Sequence, residues 1–209
     1  MIFSEIKLSE LREKLKLLLS AKRFSHTIGV EKCAAAIGAV LMPDSIEELR
    51  AAALLHDVAK EICIDEQLEL LRESKFPLTD EDAATAGVIH SFTAPLIIKR
   101  DFPDFANDNI LSSVEKHTVG AESMSVFDKI IFISDYIEDN RTFESCVNVR
   151  NFLFENFDNL TKNDALARLN KACIAAIDGS VSALEKQGRV VNSRMLDTRN
   201  SLMKQIMQS

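Results

Sequence analysis

Glycine and proline are scarce, with six and four residues in a chain of 209. That shortage disfavours a turn-rich β fold and favours helices. No stretch alternates apolar and polar side chains with strand period over a useful length. Cys33, Cys63, Cys146 and Cys173 are scattered, without a Cys-x-x-Cys spacing. This argues against a zinc–cysteine site and reads as reduced, packing thiols in a cytoplasm. The longest apolar run, Cys33 to Met42, falls short of the roughly 20 residues that span a bilayer. The first residues, Met1-Ile2-Phe3-Ser4-Glu5-Ile6-Lys7, lack the charged-then-apolar order of a signal peptide. Positive charge is also in deficit: 25 Lys and Arg against 32 Asp and Glu leave a net charge of -7. A chain so charged is a poor general binder of nucleic acid or anionic membrane. An anionic substrate would need local cations, and metals above all, to overcome that field.

The chain's length suits one substantial core, and it contains no repeat, low-complexity segment or linker. Helical spacing of apolar residues recurs from end to end. Leu8, Leu11, Leu15, Leu18 and Leu19 mark a first helix, with Ser9 as its expected cap. A second helix follows Ser25 and carries His26, Val30, Cys33 and Ile37 on one stripe. Ser45-x-x-Glu48 reads as a capping box opening a helix that ends at His56-Asp57. Asp65 to Glu73 forms a fourth. Thr79 to Asp82 starts a stretch leading to His90, and a helix from about Ser91 to Arg100 holds Pro95 near its start. Asp108 is the expected cap of a helix reaching His117. Ser125-x-x-Asp128 opens the most apolar helix, Val126 to Ile137. Three more are expected over Val147 to Phe157, Asn163 to Gln187 and Ser193 to Met207. The expectation is one all-α domain spanning residues 1–209.

Two features break the aliphatic pattern. Leu54-Leu55-His56-Asp57-Val58-Ala59-Lys60 sets an imidazole and a carboxylate directly behind an apolar run, which is costly unless a partner satisfies them. Adjacent helical residues point about 100° apart, so the doublet must share any ion with other helices. Lys60 lies on the same face as His56 and Asp57, and a cation there calls for something anionic between it and a metal. Asp135, within Ile130-Ile131-Phe132-Ile133-Ser134-Asp135-Tyr136-Ile137, needs a buried ion pair, a capping role or a metal. The chain has only four histidines, His26, His56, His90 and His117, and each falls at a helix end or on an apolar face. With Asp57 and Asp135 they suit two ions bridged by one carboxylate. Iron, manganese and zinc all accept such ligands.

The order His26, His56-Asp57, His90, His117, Asp135 resembles the HD-domain metal-dependent phosphohydrolases. More narrowly, it is similar to the YqeK branch of bacterial symmetrical diadenosine tetraphosphate hydrolases. The matching pieces are Arg23-Phe24-Ser25-His26-Thr27-x-Gly29-Val30, Leu54-Leu55-His56-Asp57-x-Ala59-Lys60, Ile89-His90-x-x-x-Ala94-Pro95, Lys116-His117-Thr118 and Asp135-Tyr136-Ile137-Glu138-x-Asn140-Arg141. They cover about residues 20–145, and the helices of residues 146–209 match more loosely. The resemblance implies an all-α HD helical bundle with extra C-terminal helices, a di-iron centre, and cleavage of diadenosine tetraphosphate into two ADP. It assigns His26, His56, Asp57, His90, His117 and Asp135 to the metals, with Asp57 bridging. Asp57 and Lys60 become the catalytic pair, and Lys60, His117, Thr118, Arg141 and Arg194 the substrate contacts. A homodimer is implied too. The chain departs from the family pattern at Ala121, Asp139 and Asn192-Ser193-Arg194. The rival readings are another nucleotide as substrate, or a metal-binding regulator without turnover.

Overall fold

A computed structural model describes residues 3–208, and among these it contains eleven α-helices, three single-turn 3-10 segments and no strand. The helices are α1 (Glu5–Leu18), α2 (Ala21–Leu41), α3 (Ile46–Leu55), α4 (Ile64–Glu73), α5 (Asp80–Ala84), α6 (Ala86–Asp101), α7 (Asp108–Lys116), α8 (Val126–Ile137), α9 (Glu144–Phe154), α10 (Lys162–Lys186) and α11 (Ser193–Gln208). The all-α expectation holds, and all four cysteines are unpaired. No helix among the described residues is long and apolar enough to cross a membrane.

The site is built on a layer in which α2 lies along α3 and α8, while α7 closes against α3 and α8. In α2, Val30, Cys33, Ala34, Ile37 and Leu41 are buried at helical spacing. In α3, Leu54 and Leu55 are both fully buried, each contributing on the order of 2 kcal/mol from removal of apolar surface. Helix α8 is buried on nearly every side through Ile130, Ile131, Phe132, Ile133 and Ile137. Its start is fixed by a capping box: the Asp128 backbone N–H donates to Ser125 Oγ at 3.0 Å, and the Ser125 N–H donates to Asp128 Oδ2 at 2.9 Å. Outside this layer, α10 covers α8 and α9, α11 rests on α10, and α6 packs against α4 and α7. Helix α1 is tied on by charge. Buried Glu31 accepts from Arg12 and Arg50, and both arginines also hold Glu5.

Several local expectations are corrected. Ser4, not Ser9, caps α1. Helix α2 starts a full turn earlier than expected, after Ser20, whose hydroxyl accepts from the Arg23 N–H. Ser45 makes no side-chain cap, because Pro43 first winds residues 43–45 into a 3-10 turn. Asn107 caps α7 in place of Asp108. The stretch from Thr79 does not run on to His90. Its chain breaks at Thr85 (φ -104°, ψ 72°), and His90 lies inside α6, which also contains Pro95. Pro95 cannot donate to the carbonyl of Ser91, yet the helix continues because Ile89, Phe92, Ala94, Ile97 and Ile98 are all buried in the surrounding packing. Helix α9 starts three residues earlier than its apolar spacing indicated, and α10 one residue earlier.

Candidate metal centre and its cavity

Helices α3 and α7 end at the same point in the core. His56 and His117 are their C-terminal caps, and each turns its Nδ1 back on its own helix. His56 Nδ1 lies 2.6 Å from the Ala53 carbonyl, and His117 Nδ1 lies 2.7 Å from the Val114 carbonyl. Each Nδ1 therefore carries the proton, and each Nε2 presents a lone pair inward. From α2, His26 Nδ1 stands 3.1 Å from Glu138 Oε1, which leaves its Nε2 inward as well. Glu138 is buried and also accepts from the Asn140 backbone N–H at 2.7 Å. Gly29 makes room for it: a Cβ there would run into the Glu138 carboxylate.

Asp57 lies between the histidines, in the turn after α3, and its two oxygens divide them. Oδ1 is 3.2 Å from His90 Nε2 and 3.7 Å from His117 Nε2, while Oδ2 is 3.6 Å from His56 Nε2 and 3.8 Å from His26 Nε2. Asp135 on α8 joins the second pair, with Oδ1 2.9 Å from His26 Nε2 and 3.9 Å from His56 Nε2. Within the pairs, His26 and His56 Nε2 are 3.3 Å apart, and His90 and His117 Nε2 are 3.1 Å apart. Inward-facing lone pairs and carboxylate oxygens at these distances repel unless cations lie among them. Three groups drawn from these six residues have ligand atoms within 4.8 Å of one another: His26, His56 and Asp57; His56, His117 and Asp135; and Asp57, His90 and His117. The separations of about 3–4 Å match neighbouring ligands around an ion with bonds of about 2 Å. The residues present fit metal ions.

Burial drives His56 and His90 down to about 4, with Asp57 opposing in both. Burial also lowers His26, but hydrogen bonds to Asp135 and Glu138 outweigh it and leave that imidazole raised. Asp57 and Asp135 are pushed up by burial. Asp57 is nonetheless held well below the usual carboxylate range by His56, His117 and His90, and Asp135 by His26 and Arg141. Both carboxylates are thus anionic and His56 and His90 neutral, the states that bind metal.

A cavity of about 580 Å³ opens beside the cluster, lined in part by Lys60, Thr118, Asp135, Arg141, Arg189 and Asn192. Lys60 Nζ stands 3.0 Å from both ring nitrogens of His90, and Thr118 Oγ1 is 3.1 Å from His117 Nε2. Arg141 donates from Nη2 to Asp135 Oδ1 at 2.7 Å and from Nε to the Asp135 carbonyl at 3.0 Å. Sequence reasoning assigned no role to Arg23, which donates to Asp57 Oδ2 at 2.6 Å, or to Glu138. Arg189 was missed as well, since its basic charge in a C-terminal segment carries no local signal.

Arg194 does not reach the cavity wall. It pairs with fully buried Asp82 at 2.9 Å and lies over the Phe92 ring at 5.4 Å, while its neighbour Asn192 donates to Asp82 at 3.0 Å. Burial raises Asp82, but hydrogen bonds from Arg194, Asn192 and Thr79 bring it down to about 2. Arg194→Ala would leave this carboxylate to Asn192 and Thr79 alone and is expected to lower stability by about 1.5–3 kcal/mol, with the KM for substrate unchanged within twofold. The folded-state pKa is depressed, so the pair's contribution is full at neutral pH, above the unfolded value near 3.9. It is lost as pH falls through about 2. Denaturant melts of wild type and variant should therefore differ at pH 7 and converge at the acid end. A large KM change would return Arg194 to the substrate site.

A helical layer that gathers four histidines and two aspartates around one point, with a His-Asp doublet at a helix end, defines an HD domain. The chain matches that family over residues 23–140, more than half its length, and belongs to it. HD domains are hydrolases that bind divalent metals. The chain is 28% identical over 187 residues to a protein of Halalkalibacterium halodurans named symmetrical bis(5'-nucleosyl)-tetraphosphatase, covering 88% of this chain and 91% of that one. A Bacillus subtilis protein of the same name is 28% identical over 179 residues, covering 85% and 87%. Among solved structures, one described as a predicted HD superfamily hydrolase involved in NAD metabolism, from Clostridium acetobutylicum, superposes with a TM-score of 0.81 at 26% identity, covering 94% of this chain and 97% of that one.

Proposed function

We propose that this protein hydrolyses diadenosine tetraphosphate symmetrically, giving two ADP, at a dinuclear centre held by His26, His56, Asp57, His90, His117 and Asp135. The observation that carries the reading is the division of four imidazoles into two pairs by the two oxygens of Asp57, directly beside a cavity walled by cations. Two transition-metal ions, of which iron is our choice, supply Lewis acidity toward a phosphoryl oxygen and make water more acidic when bound there. The chain's own residues do the rest. Lys60 and Arg141 set positive charge against the non-bridging oxygens of the phosphate under attack. Thr118 offers a hydroxyl beside the same atoms. Arg189 and Asn192, from the segment joining α10 to α11, complete the wall, so the C-terminal helices act with the rest of the chain as one domain.

The reaction breaks the central P–O–P link, and water's oxygen ends on one of the two products. Hydrolysis of diadenosine tetraphosphate in heavy-oxygen water should give ADP alone, with one label shared between two ADP per turnover. ATP with AMP would mean that the cavity seats the chain one phosphate out of register. Dephosphorylated mononucleotides without ADP would replace this substrate with another.

A further inference from the structure

We propose that the second half of the dinucleotide, the nucleoside diphosphate that departs, lies in a separate cleft across the metal-ligand cluster, with Lys22 as a phosphate contact. This rests on the function proposed above. A cleft of about 580 Å³ lies on the α2 side of the cluster and is bounded by Lys22, Arg23, His26, Asn140, Arg141 and Phe143. It meets the main cavity at Arg141 and Phe143, which line both. Between the two spaces stand His26, on the cleft side, and Asp135, on the cavity side, 2.9 Å apart. The ligand cluster is thus a shared wall with a hollow on either face. A substrate cut at its midpoint has two equal arms leaving that point in different directions, and each hollow falls in the volume range of one small ligand.

Charge agrees with this placement. In a chain of net charge -7, the cleft gathers Lys22, Arg23 and Arg141, and the carboxylates around it are already engaged. Glu138 is held by His26 and Asn140, Asp57 by Arg23, and Asp135 by Arg141. Lys22 is exposed and has no ion-pair partner among the described residues. The N-terminus of α2 is itself not the anion site, because Glu61 already accepts from the Ser20 N–H at 2.9 Å. The phosphates therefore fall to the side chains, Lys22 first.

Lys22→Glu tests the assignment without endangering the fold, since an acidic residue in the first turn of a helix is favourable. The KM for diadenosine tetraphosphate should rise about 10-fold or more, the effect of losing one charge-assisted contact. Lys171→Glu, an exposed reversal on α10 outside both hollows, should leave KM unchanged and so separates a local contact from a general field. An unchanged KM in Lys22→Glu overturns the proposal, and so does an equal rise in Lys171→Glu. If the wild-type enzyme leaves diadenosine tetraphosphate intact, the function fails first and this cleft assignment falls with it.

Discussion

Asp57→Asn is expected to lose at least one of the two proposed metal ions and to cut turnover by more than about 10³-fold. The amide keeps the shape of the carboxylate but removes its charge and replaces one acceptor oxygen with a donor NH₂. In the native cluster Oδ1 faces His90 and His117 while Oδ2 faces His26 and His56. Either orientation of the amide therefore aims N–H groups at one imidazole pair. The Lewis acidity lost with an ion is worth several kcal/mol, and about 1.4 kcal/mol is tenfold in rate. Elemental analysis beside a product assay tests this. Metal-free protein that remains fully active would end the dinuclear reading. An Asp57→Asn variant retaining both ions and wild-type turnover would remove Asp57 from the bridge.

Lys60→Ala is expected to keep its metal and lose about 2–4 kcal/mol of transition-state stabilisation, roughly 30- to 1,000-fold in kcat, by analogy with deleting one oxyanion donor. Lys60 belongs to none of the metal-ligand groups, yet its ammonium stands 3.0 Å from the His90 ring and lines the cavity. Burial lowers its pKa, with the anionic Asp57 pulling the other way. A phosphate in the cavity would strengthen that second influence and hold the proton on Lys60. Metal content and kcat must be read together. Wild-type turnover with both ions present would make Lys60 a packing residue, whereas joint loss of metal and activity would make it a support for His90.

The aspartates and histidines were legible in the sequence because so few residues could do the work. Four histidines on apolar or terminal positions of separate helices leave little choice of partner, and the structure brings all four together with Asp57 and Asp135. Local capping chemistry was legible where nothing distant competes, as at Thr79 with Asp82 and Ser125 with Asp128. It misled at Ser45, where the ring of Pro43 takes over the first turn, and at Pro95, where burial on all sides outweighs a missing hydrogen bond. The supporting polar groups were illegible for a different reason. Glu138 meets His26 across 112 residues of chain and Arg23 meets Asp57 across 34, distances over which no periodicity speaks. Arg194 was expected at the substrate, and its hydrogen bond to Asp82, 112 residues away, was not legible. A basic residue near a matching motif looks the same whether its charge is free for a ligand or already taken.

The joint ending of α3 and α7 bears on how the molecule holds together. Each helix terminus carries about half a negative charge, and here two such ends and two ionised carboxylates face one small volume in the core. Arg23 and Arg141 offset the two carboxylates, and ions would add to that only in the native arrangement, since the ligands come from five separate helical segments. Metal bound there would act as a folding ligand. At a free concentration 100 times the dissociation constant, one such ion adds about 2.7 kcal/mol to native stability. The thermal midpoint is expected to rise as metal is added, and metal starvation to leave the chain more open to proteolysis.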